Sequence, residues 1–305
     1  MKFAYIPFEE GEKHLDWIGL TEAFSAGHAR PKAEIADTFL YRDPDTLLSR
    51  SAWIDGLGLA VKSATVFPQN PSRGAPMING AVSLFSDRSG ELEALVDFHL
   101  VTKWKTAGDS LWAAKRLARP DSRNILIIGA GTVARSLRAA YAAGFPEARF
   151  TVWNRTRAKA EALAGGDERM QVADDLKAAV AQADIITSAT MSTTPLIRGD
   201  WLQAGQHVDL IGAYRPDMRE ADDDTLRRAR VFVDSYDTTL GRIGELKIPL
   251  ESGVIQRSNI LGDYYDAAHF TRQSDDEITL FKNGGGAHLD LMTARYVLER
   301  WASSQ

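Results

Sequence analysis

The segment Gly129-Ala130-Gly131-Thr132-Val133-Ala134 has the spacing that most directly implies chemistry in this 305-residue chain. It follows the apolar run Ile125-Leu126-Ile127-Ile128 and opens an alanine-rich stretch with helical apolar spacing, so its glycines sit at a strand-to-helix turn. In the pattern G-x-G-x-x-A the first glycine permits the tight turn and the second lets backbone approach a pyrophosphate. The small third residue lets helix and strand pack closely. Amide hydrogens and the positive end of the helix dipole then face the phosphates. Gly129, Ala130, Gly131, Thr132 and Val133 are therefore candidate ligands of a dinucleotide. The next apolar run ends Val152-Trp153-Asn154-Arg155-Thr156-Arg157. A site preferring NAD usually carries an acidic residue here for the ribose 2′-hydroxyl. Asn154, Arg155 and Thr156 offer amide, guanidinium and hydroxyl, which suit a 2′-phosphate through charge-assisted contacts. The expected cofactor is NADP, with NAD as the second choice. Against this stands the plainer reading that Arg155 and Arg157 only solvate the start of the next helix.

Elements must hold these residues in place, and the chain supplies them in alternation. Short β-branched runs recur at Phe150–Trp153, Ile185–Thr187, Val208–Ile211 and Val231–Val233, separated by amphipathic stretches such as 157–164 and 174–183. Strands alternating with helices on short connections pair in parallel, because each crossover uses about a helix of chain. The fold class is α/β: a doubly wound, parallel-sheet (Rossmann) dinucleotide-binding domain over 115–286, beside a mixed-sheet α+β domain. The second domain takes residues 1–114 and 287–305. Its alternating runs (60–66, 80–85, 92–96) and turn-rich pieces such as Pro68-Gln69-Asn70-Pro71 suit an antiparallel or mixed sheet behind a helix over 16–26. Gly284-Gly285-Gly286 reads as a hinge or a flexible loop, after which a helix over 289–301 is expected to return to the first domain.

Composition narrows the function classes. The chain is about twice the usual domain size, with 44% hydrophobic and 25% charged residues, a formal charge of −5 and no cysteine. Thiolate metal sites, disulfide scaffolds and cysteine nucleophiles are excluded. The acidic balance disfavours nucleic acid as a partner, and no apolar run reaches the 18 or so residues that span a bilayer. The six histidines are scattered without metal-ligand spacing, so no metal is expected. Asp222-Asp223-Asp224 reads as a helix start. The opening residues turn acidic before a signal-peptide core could form, which implies a cytoplasmic protein.

Beyond the phosphate loop, the chain resembles the ornithine cyclodeaminase and mu-crystallin family over nearly its whole length. Leu59-Ala60-Val61-Lys62 with Phe67-Pro68-Gln69-Asn70 is similar to the family's L-x-x-K and P-x-N segment. Val101-Thr102-Lys103-Trp104-Lys105-Thr106-Ala107 is similar to its L-T-x-x-R-T-A stretch, and Trp153-Asn154-Arg155-Thr156 to the W-N-R-T of mu-crystallin. Ile211-Gly212-Ala213 and Arg215-Pro216-Asp217-Met218-Arg219-Glu220 match the motif after the fourth dinucleotide-domain strand. The resemblance implies a homodimer formed through the N-terminal domain and an active site between the domains. It assigns catalysis to Lys62 and Lys105, substrate binding to Arg50, Asn70 and Tyr214, and further cofactor contacts to Thr106, Ala189, Thr190 and Gly212. Two departures matter. Cyclodeaminase members carry an aspartate where this chain has Tyr214, and arginine where it has Lys105.

The step that the family shares is hydride passage between a nicotinamide and the carbon that bears nitrogen in an α-amino or α-imino acid. Such a site needs fixed cations for the carboxylate and a donor that keeps the imine protonated. Lys62 and Lys105 suit these roles, with Arg50 assisting the carboxylate. Cyclodeamination needs in addition a group that deprotonates a second amine, and a phenol of ordinary pKa near 10 does this poorly. The expected activity is therefore NADPH-dependent reduction of a cyclic imino acid, 1-pyrroline-2-carboxylate or 1-piperideine-2-carboxylate, to proline or pipecolate. The alternatives are ornithine cyclodeaminase, an amino-acid dehydrogenase of the same family, and a binding protein that keeps the nucleotide fold without turnover.

Overall fold

A computed structural model describes residues 3–305 and divides the chain into two compact units, one running up to Lys105 and resuming at Gly285, the other covering Thr106–Gly284. These divisions fall nine and two residues ahead of the boundaries expected at 114/115 and 286/287. The first lies inside a helix whose apolar spacing runs unbroken, so nothing local in the sequence marks it.

The first unit is built on a six-stranded sheet of β1 (Ala4–Ile6), β2 (Glu34–Arg42), β3 (Asp45–Ile54), β4 (Gly58–Val66), β5 (Ile78–Phe85) and β6 (Leu92–Asp97), in the order β1-β6-β5-β4-β3-β2. All neighbours pair antiparallel except β1 with β6. Alternation in β4 sends Ala60, Lys62 and Ala64 to the buried face, as a pleated strand with one covered side requires. The C-terminal helix (Ala287–Ala302) packs on this sheet. The helices α1 (Phe8–Glu12) and α2 (Trp17–His28) precede β2, and Asp16 caps α2 by accepting from the Gly19 amide at 2.6 Å. From β6 the chain passes directly into α3 (Phe98–Leu117), whose stretch up to Lys105 belongs to this unit.

The second unit carries an eight-stranded, wholly parallel sheet: β7 (Asn124–Ile128), β8 (Arg149–Trp153), β9 (Met170–Val172), β10 (Ile185–Ser188), β11 (His207–Leu210), β12 (Arg230–Val233), β13 (Ile260–Gly262) and β14 (Thr279–Lys282). Their order is β13-β12-β14-β11-β10-β7-β8-β9. β7, β10, β11 and β14 are buried almost throughout because both faces are covered. The crossover helices are α4 (Thr132–Gly144), α5 (Arg157–Ala164), α6 (Leu176–Gln182) and α7 (Asp223–Arg228), followed by α8 (Tyr236–Thr239) and α9 (Gly244–Glu251). Asp222 caps α7 and Asp223 and Asp224 occupy its first turn, a dipole-favoured arrangement. Strand order reverses between β7 and β10, which makes the loops after their C-terminal ends the ligand crevice of such a sheet. Among the described residues no helix is long and apolar enough to cross a membrane, and no group of three or more potential ligands could hold a metal ion.

Candidate active site

In the first unit, strand register lines up a row of charge. Asp37 on β2 stands opposite Arg50 on β3, and Arg50 opposite Lys62 on β4. Lys62 points to the covered face and is only 5% exposed. Its Nζ donates to Asp290 Oδ1 of the C-terminal helix at 2.9 Å and to Thr102 Oγ1 of α3 at 2.8 Å. Lys105, one turn along α3 and equally buried, places Nζ 3.2 Å from the same Asp290 oxygen and donates to the Gly285 carbonyl at 3.0 Å. Arg50 donates to both oxygens of Asp37 and to Gly285 O. Three cations against two carboxylates leave a surplus of one positive charge, the complement of a small organic anion. Burial, only partly offset by Asp290 and reinforced by Lys105 and Arg50, pulls the Lys62 ammonium from 10.5 to about 8. A lysine so tuned can give up a proton near neutral pH.

In the second unit, Gly129 holds φ +108°, and a Cβ there would lie 2.8 Å from the Ala189 carbonyl. Only glycine fits that turn at such close approach of the β7 and β10 loops. Gly131 is the N-cap of the 13-residue α4, has no side-chain cap, and has open space where a Cβ would project. No acidic residue occupies the first turn of α4, so its amides and dipole are available to an anion. At the end of β8, Asn154 Nδ2 donates to Thr156 O at 2.9 Å, and Arg155 is exposed. Arg157 pairs instead with Glu161 and Asp174. These residues fit a dinucleotide: a side-chain-free cradle over an uncapped helix start, with no carboxylate at the end of β8.

The structure brings Lys62, Lys105 and Arg50 together, and it brings Gly129, Ala189, Thr190 and Gly212 together at the ends of β7, β10 and β11. A Cβ on Gly212 would strike Thr190 backbone atoms at 2.0–2.2 Å. Thr106 contributes its carbonyl to Asn283 Nδ2 at 3.1 Å. Asn70 starts a short 3₁₀ turn and spends its amide on the Pro76 carbonyl at 3.0 Å, a loop-closing role. Tyr214, in the second unit, is 61% exposed.

Sequence reasoning missed Asp290, which sits among Leu289, Leu291 and Met292. A lone carboxylate on the apolar face of a helix was its only signal. It also gave Glu220 no role. This buried side chain accepts from Ser188 Oγ, Thr190 N and Thr190 Oγ1 through Oε1, and from the Gly212 and Ala213 amides through Oε2. One carboxylate thus ties the β10 loop to the β11 loop. Glu245, which accepts from the Glu220 and Ala221 amides, lies beneath it. Burial and the neighbouring Glu220 push its carboxyl up to about 7.

Residues 52–305 match the model of the ornithine cyclodeaminase/mu-crystallin family. The chain belongs to that family. A Delta(1)-pyrroline-2-carboxylate reductase of Paracoccus denitrificans is 50% identical over 301 residues, covering 96% of this chain and 95% of the relative. The ketimine reductase mu-crystallin of Mus musculus is 32% identical over 251 residues, 81% of this chain and 77% of its own. Among solved structures, the Thermococcus litoralis Delta(1)-pyrroline-2-carboxylate reductase in complex with NADH and L-proline superposes with a TM-score of 0.90 at 26% identity, with 98% of each chain covered. The shared fold extends over both units.

Proposed function

We propose that this family member is an NAD(P)H-dependent reductase of a cyclic imino acid, 1-pyrroline-2-carboxylate or 1-piperideine-2-carboxylate, yielding proline or pipecolate. The observation that carries the reading is the buried pair Lys62 and Lys105 around one carboxylate, in a chain half identical to a pyrroline-2-carboxylate reductase. When bound, the reduced nicotinamide supplies a hydride to the imine carbon. Lys105, with Arg50 beside it, neutralises the substrate carboxylate. Lys62 Nζ gives its proton to the ring nitrogen as C=N becomes CH–NH, is left as a neutral amine, and is recharged from water. Tyr214 stands where cyclodeaminases place a carboxylate, and the lack of that carboxylate separates this reading from ammonia loss. On the cofactor side we favour NADPH over NADH, because Arg155 is exposed at the end of β8 while Arg157 is engaged by carboxylates.

The same reading includes a homodimer. Edge strand β2 is nine residues long, and Phe39, Leu40 and Tyr41 on it are 44%, 62% and 75% exposed. A long apolar edge invites pairing, and a second copy would cover it. The test of the activity is a matched pair of assays. NADPH should be consumed mole for mole with pyrroline-2-carboxylate. Ammonia release from ornithine without net cofactor consumption, and no turnover of the imine, would overturn the proposal.

A further inference from the structure

Asp290 carries an inference that rests on the reductase reading and deepens it. It lies in the first turn of the C-terminal helix, is 1% exposed, and stands between the fully buried Leu289 and Leu291. Its Oδ1 is shared by Lys62 and Lys105, and Oδ2 makes no hydrogen bond among the described residues. Among the described residues no donor other than the two ammonium groups reaches it, and a buried carboxylate held this way answers a buried charge rather than filling space. The groups around the pair are few. Thr102 of α3 gives Lys62 a neutral acceptor, and the Phe98 ring lies 4.7 Å from its nitrogen. Arg50 of β3 approaches, tied to Asp37 of β2. His288 of the C-terminal helix packs edge-on to His28 of α2 at 5.2 Å, and burial drives the His288 imidazole well below 6.5, so it stays neutral. Without Asp290, three cations would share only Asp37, which Arg50 already engages.

We propose that Asp290 is a positioning residue whose negative charge keeps Lys62 in the ammonium form that protonates the imine. Burial and the Lys105 and Arg50 charges all favour the neutral amine at Lys62, whereas Asp290 opposes them. Asp290 itself is held below its usual range despite burial, by Lys105, Lys62 and Arg50. The carboxylate therefore stays charged through the working pH range and takes no part in the proton transfer.

The experiment is the pH profile of kcat/KM with NADPH and pyrroline-2-carboxylate for the native enzyme and for the D290N, D290E and K62M variants. The substrate's own titration is common to all four, so differences between profiles report the protein. The native alkaline limb should fall near 8. Removing an opposite charge at this distance should lower it by about one to three pH units in D290N. That variant should lose roughly tenfold more activity at pH 8 than at pH 6. D290E, which keeps the charge, should retain the native limb. Uniform loss in D290N at every pH, with the limb unmoved, overturns the proposal and leaves the reductase reading intact. If D290N does not fold, D290E decides: a limb displaced to lower pH despite the retained charge overturns the proposal. K62M tests the underlying reading separately, since a lost general acid costs about 100-fold or more. Near-native activity in K62M would refute Lys62 as donor whatever Asp290 does.

Discussion

Replacing Glu220 with glutamine tests whether one carboxylate organises the cofactor side of the site. The five donors that it accepts lie at 2.6–3.2 Å, three on Oε1 and two on Oε2. A glutamine NH₂ cannot accept. In its better orientation the NH₂ would face the Ser188 and Thr190 hydroxyls and the Thr190 amide, leaving that one backbone donor unsatisfied. For one orphaned group the loss is about 1–3 kcal/mol. The hydroxyls of Ser188 and Thr190 can rotate to new partners, but the backbone amides cannot. Part of the cost will be relieved by movement of the 189–190 and 212–213 segments, which displaces the loops around Gly129. We expect thermal unfolding well below that of the native protein and dinucleotide affinity weakened about tenfold, equivalent to roughly 1.4 kcal/mol. The assays are differential scanning fluorimetry with and without saturating NADPH, and titration of reduced-nicotinamide fluorescence. Saturating cofactor should recover part of the stability, because ligand that binds only the folded form adds to it by mass action. A Glu220→Gln protein with native melting temperature and native NADPH affinity would refute the reasoning.

Two further outcomes follow from single residues. Arg155→Ala should raise the NADPH Kd by roughly 10- to 100-fold, the worth of a charge-assisted hydrogen bond, and leave NADH nearly unchanged; equal effects on the two cofactors would refute the assignment. Acid should destabilise the fold through three buried imidazoles, because burial lowers His28 from 6.5 to about 4, His207, with Arg272 adding to the effect, to about 3, and His288 well below 6.5. The unfolded chain binds these protons first, so stability is full above pH 6.5 and falls with pH at about 1.4 kcal/mol per unit per imidazole. At pH 4.5 the three together cost about 8 kcal/mol. Denaturant melts of a His207→Gln protein should show roughly two-thirds of that pH dependence, and an unchanged slope would sink the account.

The parts of the molecule legible in the sequence were those specified locally. The β7 turn and α4 declare themselves within a dozen residues, since a buried strand, a positive-φ glycine and a small helix residue are each forced by close packing. Lys62 was visible as a cation on a strand whose neighbours alternate apolar. Strands β2 and β3 were not read, because β2 is an exposed edge whose Phe39, Leu40 and Tyr41 run consecutively and carry no period-two pattern. Asp290 was not read for a different reason. Its partners are 185 and 228 positions away in sequence, and a carboxylate inside Leu289-Asp290-Leu291 has no local rationale until the two lysines are placed beside it. Glu220 lay inside a recognised motif, yet its function is to accept from loops 30 residues upstream and 8 upstream. Asn70 shows the converse, since its motif position is clear but its side chain closes its own loop.

The division of labour between the units follows from what each kind of interaction can specify. A glycine cradle over a helix start recognises phosphate through backbone, and so serves any dinucleotide-dependent reaction. It says nothing about the substrate. On the proposed reading the first unit supplies that information by burying charge, and burial is what makes the charge selective. An exposed pair of lysines would be screened and would titrate near 10, binding any anion weakly and donating no proton at neutral pH. Sunk beneath the C-terminal helix, the same lysines act in a low dielectric, where the cation surplus is felt strongly by a small carboxylate and one ammonium is brought to about 8. Such a cluster tolerates its own burial only because Asp290 and Asp37 hold most of its charge. On the proposed reading the identity of the reaction depends on a balance between two carboxylates and three cations.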